Sequence, residues 1–124
     1  MSETSAQVIQ GACHCGAVGF EITESPGWLT ECNCSICRRI GARWGHINIA
    51  AFSRLGDGET RSYIQGDKKL AMQTCVQCGC TTHYETLDAD HDTMAVNFRM
   101  CDPEIVARFR IRKFDGADSW EFLD

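Results

Sequence analysis

A chain of 124 residues, 44 % hydrophobic and 23 % charged, is long enough for one modest core and has the make-up of an ordinary globular protein. A formal net charge of −5 argues against non-specific binding to nucleic-acid phosphates. No apolar run approaches the roughly 20 residues of a membrane-spanning helix. The polar opening MSETSAQVIQ lacks the basic-then-apolar pattern of a secretory signal, so a cytoplasmic chain is expected. With two prolines and no Gly/Ser-rich linker, residues 1–124 are expected to form a single domain.

In chain order, the predicted elements are mostly short strands. Ala17 to Thr23 (AVGFEIT), TRSYIQ from Thr60, TTHYETL from Thr81 and TMAVNF from Thr93 are β-prone, and several are bounded by Gly or Asp turns. ARFRIR alternates strictly from Ala107 to Arg112. That pattern predicts a strand with Phe109 and Ile111 on one face and Arg108, Arg110 and Arg112 on the other, solvated as an edge strand would be. Brief helices are expected at SICRRIG and after Asp102, where Pro103 suits the first helical position. No segment carries a long 3.6-residue apolar period, so the fold class is mainly β.

Nine cysteines dominate the chemistry. Their odd number, tight spacing and lack of an export signal favour metal ligation over a disulfide framework. GACHCGAV supplies Cys13 and Cys15, and TCVQCGC supplies Cys75 and Cys78. Residues i and i+2 of an extended segment share a face, so both sulfurs of a CxC reach one ion. A CxxC followed by Gly79 makes a tight knuckle. These two pairs best fit a closed tetrahedral zinc site whose binding energy goes into folding.

ECNCSICRR then offers Cys32, Cys34 and Cys37, one short of a closed site. Three protein ligands and an open position are the usual pattern of a catalytic zinc. Alternatively, Cys80 or Cys101 completes the set, or the pairing differs, since Cys75, Cys78 and Cys80 repeat the same spacing. A dithiol redox role is a third option. Three thiolates make zinc a weak Lewis acid, better suited to holding an exchangeable thiol as thiolate than to generating hydroxide.

The other candidates are weaker. Arg38 and Arg39 could bind a carboxylate beside the open metal, or could simply balance the charge of the thiolate cluster. His46, close after the triple, is the histidine expected to line a cleft; Trp44 could flank it. His14, between two ligands, should point away from their metal. DADHD (Asp88 to Asp92) opens like a calcium loop but lacks its Gly and its Glu, and reads as a turn. Cys101 reads as a small buried hydrophobe.

Taken together, GACHCGAVGFE, CNCSICRRIGA and CVQCGC, with FDGADSW near the end, resemble the glutathione-dependent formaldehyde-activating enzyme family, also called the CENP-V/GFA domain. The resemblance implies an Mss4-like, zinc-containing β fold of short antiparallel strands. It also implies one structural zinc on Cys13, Cys15, Cys75 and Cys78, and a second, functional zinc on Cys32, Cys34 and Cys37. The implied activity is a carbon–sulfur lyase or synthase step that joins glutathione to a small aldehyde such as formaldehyde. In that scheme Arg38 or Arg39 orients the thiol, and water or a histidine such as His46 protonates the product. Members of the family are diverse. A non-catalytic zinc module with a protein or chromatin partner, or a thiol-redox or metal-handling protein, is the competing expectation.

Overall fold

The computed structural model describes residues 8–64, 69–88 and 90–124. Among the described residues, ten short strands form two sheets. A three-stranded antiparallel sheet has the order β1 (Ile9–Ala12), β2 (Gly19–Ile22), β5 (Phe52–Leu55). A seven-stranded sheet runs β10 (Ile111–Phe114), β3 (Leu29–Cys32), β4 (Trp44–Asn48), β9 (Thr93–Asn97), β8 (Thr81–Thr86), β7 (Leu70–Cys75), β6 (Thr60–Ile64). Two short helices, α1 (Ser35–Ile40) and α2 (Pro103–Val106), complete the fold. None of the described helices is long and apolar enough to cross a membrane.

The sheets pack because their facing positions are apolar. Phe20 and Ile22 of β2 meet Leu29, Ile47, Met94, Val96 and Phe98 from the larger sheet and its margin, all buried. Each such side chain withdrawn from water contributes roughly 1.5–3 kcal/mol. Strand β4 shows the alternation that divides the two faces of the larger sheet. Ile47 enters the inter-sheet core, whereas Trp44 packs on the opposite face with Cys37, Met72 and Ala95. Gly45 also faces the core, where a Cβ would come within 2.4 Å of the Phe98 ring, so no larger residue fits there unchanged.

The predicted strands at Ala17–Thr23, Thr60, Thr81 and Thr93 and both helices are present, with trimmed ends; Gln65 of TRSYIQ lies outside the described residues. ARFRIR is a correction. Residues 107–109 continue the turns of α2, their N–H groups bonded to Pro103, Ile105 and Val106 carbonyls, so the strand starts only at Ile111. Phe109 instead packs edge-on against Phe98 at 5.2 Å. Nor is the arginine stripe a freely solvated face. Arg110 and Arg112 both reach Asp124, at 2.7 and 2.9 Å, and the Arg112 guanidinium lies over Trp28 and Phe122. The sheet is also not wholly antiparallel, since β10 runs parallel to β3 and sets Phe114 opposite Cys32.

Candidate metal centres and the cavity beside one of them

The sulfurs of Cys13, Cys15, Cys75 and Cys78 lie within 4.8 Å of one another. Cys13 and Cys15 sit at the tight turn after β1, where Cys13 N–H bonds the Val18 carbonyl and Gly16 takes a positive φ of 84°. Cys75 ends β7, and the Gly79 N–H closes the knuckle onto its carbonyl at 2.9 Å, with φ at +81°. The sulfur separations Cys13–Cys15 and Cys15–Cys75 are 3.7 and 3.6 Å. Tetrahedral zinc–sulfur bonds of about 2.3 Å require an edge of about 3.8 Å, so the donor set and its spacing fit zinc. Backbone N–H groups of Cys15 and Cys80 hold the Cys78 thiol down to about 5, favouring the thiolate a metal needs.

The second cluster, Cys32, Cys34 and Cys37, is made by one local device. Cys34 is the N-cap of α1, and its Sγ accepts from Cys37 N–H at 3.4 Å. Capping places Cys37 one turn along, facing back toward Cys32 at the end of β3, and the three sulfurs fall within 4.8 Å. Gly41, with φ at +72°, ends the helix through a bond to the Cys37 carbonyl. The buried Trp44 indole N–H donates to Cys37 Sγ at 3.3 Å. The thiols share protons unequally: the bond from Cys37 holds Cys32 down to about 6, while that same bond and burial push Cys37 up.

No fourth ligand joins this cluster among the described residues. Cys80 packs beside the four-cysteine cluster instead. Cys101 belongs to the inter-sheet core, where burial pushes its thiol up to about 12. The three sulfurs open instead onto a cavity of about 790 Å³ on the outer face of the larger sheet, within the usual range for small-molecule sites. Its floor includes Trp44, His46 and Tyr84, with the Trp44 and Tyr84 rings edge to face at 4.9 Å. The His46 side chain is open to the cavity yet hemmed in by its walls, which lowers its pKa. Burial, then the nearby charges of Cys37 and Cys32, raise that of Tyr84.

The strand order gives the cavity two unlike sides. Toward β7 and β8 the wall carries Lys69, Asp88 and His91, with His91 Nδ1 3.1 Å from an Asp88 carboxylate oxygen. Of DADHD, Ala89 lies outside the described residues; the Asp90 and His91 N–H groups bond back to the Asp88 carboxylate and carbonyl, as in a turn. Toward β3 and β10 the wall is aromatic: Trp28, Phe114, Trp120 and Phe122. These rings form a chain of edge-to-face pairs, Trp28–Phe122 at 5.8 Å, Phe122–Phe114 at 5.0 Å and Phe114–Trp120 at 5.5 Å. Trp120 is 72 % exposed and has a left-handed φ of 60°, a conformation costing a bulky residue roughly 1–2 kcal/mol.

Of the site residues expected from the sequence, His46 and the triple line the cavity. Arg38 and Arg39 are exposed in the last turn of α1 and do not line it; Arg39 donates to the Ser35 carbonyl. They complement the helix C-terminus there. His14 is exposed, consistent with a side chain turned away from its neighbours' cluster. The sequence pointed to Trp28 and Trp120 only as core or cleft-wall aromatics, and gave no role to Tyr84, Lys69, Phe114 or Phe122. FDGADSW did contain Phe114, Gly116 and Trp120, and a Cβ on Gly116 would come within 2.4 Å of Cys32 Sγ.

A mainly β sandwich with two cysteine clusters able to hold metal, one of them set in a cavity wall, defines the class of this protein. The chain belongs to the glutathione-dependent formaldehyde-activating enzyme family, whose pattern it matches over residues 8–113. It is similar to a Halomonas elongata protein provisionally named a glutathione-dependent formaldehyde-activating enzyme, with 38 % identity over 55 residues. That match covers 43 % of this chain and 32 % of the relative, so the chain spans about a third of that protein's length. A crystal structure of a Rhodobacter sphaeroides protein shares the fold, with a TM-score of 0.67 and 24 % identity, covering 83 % of this chain and 99 % of that one.

Proposed function

We propose that this chain is a zinc-dependent carbon–sulfur lyase or synthase that joins a thiol of the glutathione type to a small aldehyde. The observation that carries the reading is the three-sulfur cluster in the cavity wall, with no fourth protein ligand among the described residues. In this reading one zinc is held by Cys13, Cys15, Cys75 and Cys78 and a second by Cys32, Cys34 and Cys37. Zinc at the triple would take the substrate thiol in its fourth position and hold it as thiolate, the nucleophilic form.

The residues around the triple supply the rest. The charged side of the cavity, with Lys69, Asp88 and His91, suits the ammonium and carboxylate ends of a peptidic thiol. Its sulfur then faces an aldehyde carbon approaching along the aromatic side. As the carbon–sulfur bond forms, the carbonyl pair moves to oxygen, and the thiol's own proton has already been released. Tyr84 lines the cavity, and its phenol, protonated at neutral pH, would donate a hydrogen bond to that oxygen. His46, neutral at the same pH, can pass the final proton from solvent. In this scheme the orienting role expected of Arg38 or Arg39 falls to the cavity groups.

Exchange NMR tests the reading directly. Interconversion of formaldehyde and glutathione with their hemithioacetal should quicken in proportion to metal-loaded protein. Cys34→Ser should lower the protein-dependent rate on the order of 100-fold or more. Loaded protein that leaves the exchange rate of every aldehyde at its spontaneous value would overturn the proposal.

A further inference from the structure

The cavity is a poor match to a one-carbon aldehyde. Formaldehyde has no substituent to contact a wall, yet the side of the cavity nearest the cysteine triple is a continuous run of four rings. The run starts at the cluster itself, since Phe114 is the register partner of Cys32 and Gly116 packs on its sulfur. It is also held in place. The Arg112 guanidinium lies over both Trp28 and Phe122, at 4.6 and 3.8 Å from their centroids, and is tied to Asp124 at 2.9 Å. Asp115 anchors the turn beyond Phe114 by accepting from Asn33 at 2.9 Å and Ser119 Oγ at 2.9 Å. The end of the run is Trp120, an exposed indole kept in a left-handed backbone conformation by its N–H bond to the Asp115 carbonyl. A strained backbone that displays apolar surface to solvent, beside a reactive centre, is a pattern expected where a ligand covers that surface.

We infer that the aromatic wall is a substituent pocket, and that the aldehyde is one carrying an aromatic group beyond its carbonyl carbon, of the arylalkyl class. The inference rests on the carbon–sulfur reading above and names its second substrate. The reaction balances without a further reactant. The thiol sulfur bonds to the carbonyl carbon, the carbon–oxygen π pair becomes an oxygen lone pair, and that oxygen gains the proton the thiol lost. The aryl group lies along the wall, edge to face with Phe114 and Phe122, and Trp120 covers it from solvent.

Phenylacetaldehyde, formaldehyde and the unreactive analogue 2-phenylethanol separate the outcomes, each tested with the metal-loaded chain and with Trp120→Ala. The exposure of Trp120 makes that variant a safe one for folding. Expected are a kcat/KM for phenylacetaldehyde at least tenfold above that for formaldehyde, and a fall of about tenfold in that ratio in Trp120→Ala. Binding of 2-phenylethanol, followed by saturation-transfer NMR, should weaken at least fivefold in the variant. Acceleration of formaldehyde alone, with no binding of 2-phenylethanol, overturns this inference and leaves the carbon–sulfur reading intact. Binding of 2-phenylethanol that depends on Trp120, with no aldehyde accelerated, overturns the carbon–sulfur reading and upholds an aryl pocket. A ratio unchanged by Trp120→Ala overturns the assignment of this wall.

Discussion

The two cysteine clusters use the same CxC and CxxC spacings, yet one bridges the two sheets and the other lies in the wall of a surface cavity. Cys13 and Cys15 follow β1 of the smaller sheet, and Cys75 ends β7 of the larger, so a metal held by all four would join the two layers across 60 residues of chain. Cys32, Cys34 and Cys37 span six residues, so closing them constrains little chain and ties few distant elements. The lesson is that donor spacing alone does not say what a metal site is for. The sequence distance between the donors, and whether their sulfurs meet core or cavity, decides it.

The comparison breaks most visibly if one ligand is removed from each cluster. Cys75→Ser should cost on the order of 5 kcal/mol or more, because metal binding at the inter-sheet staple is folding free energy. Thermal unfolding by circular dichroism would show a collapsed or missing transition. Cys34→Ser should lose metal from the open cluster while its melting temperature stays within about 3 °C. Serine keeps the N-cap acceptor that Cys34 provides to the Cys37 N–H. Equal destabilisation by the two changes would show that both clusters are structural.

What the sequence made legible follows the same division. Both clusters could be read from local spacing, and α1 from its Gly41 stop, because each depends on residues a few positions apart. The cavity could not. It exists because β10 pairs parallel to β3 and carries Phe114 to Cys32, a contact across 82 residues that no periodicity encodes. The false strand over Ala107–Arg110 has a related cause. Alternating Phe and Arg is a pattern of side chains, and the helical turns after Pro103 claimed the backbone N–H groups first. Arg38 and Arg39 were expected at the site because they follow the triple in sequence; they are exposed in the last turn of the helix that Cys34 caps, outside the cavity lining.

Two glycines sharpen the contrast at smaller cost. Gly116 has no positive φ, but a Cβ there would sit 2.4 Å from Cys32 Sγ, so Gly116→Ala must displace that sulfur. A drop of about 10–100-fold in metal affinity of the open cluster is expected, read by competition with a chromophoric chelator. Gly79 is the reverse case. An added Cβ meets no atom within 4 Å, and only the φ of +81° is strained, so Gly79→Ala should cost about 1 kcal/mol in urea unfolding.

The smallest change tests whether the open cluster is tuned by its surroundings. Trp44 is 2 % exposed, and its indole N–H at 3.3 Å is the side-chain donor given to Cys37. A hydrogen bond to a thiolate withdraws charge from it, which offsets the repulsion among three anionic sulfurs on one ion. Trp44→Phe keeps a ring in the pocket beside Met72 and Ala95 while removing that donor. The expected result is a loss of roughly tenfold in metal affinity at the open cluster, with the four-cysteine cluster still fully loaded. Cobalt substitution gives the matching spectroscopic sign, because a more electron-rich Cys37 sulfur moves its sulfur-to-metal charge-transfer band to lower energy. An unchanged band with weakened binding would mean that Trp44 acts by packing, and that the open cluster owes its behaviour to position alone.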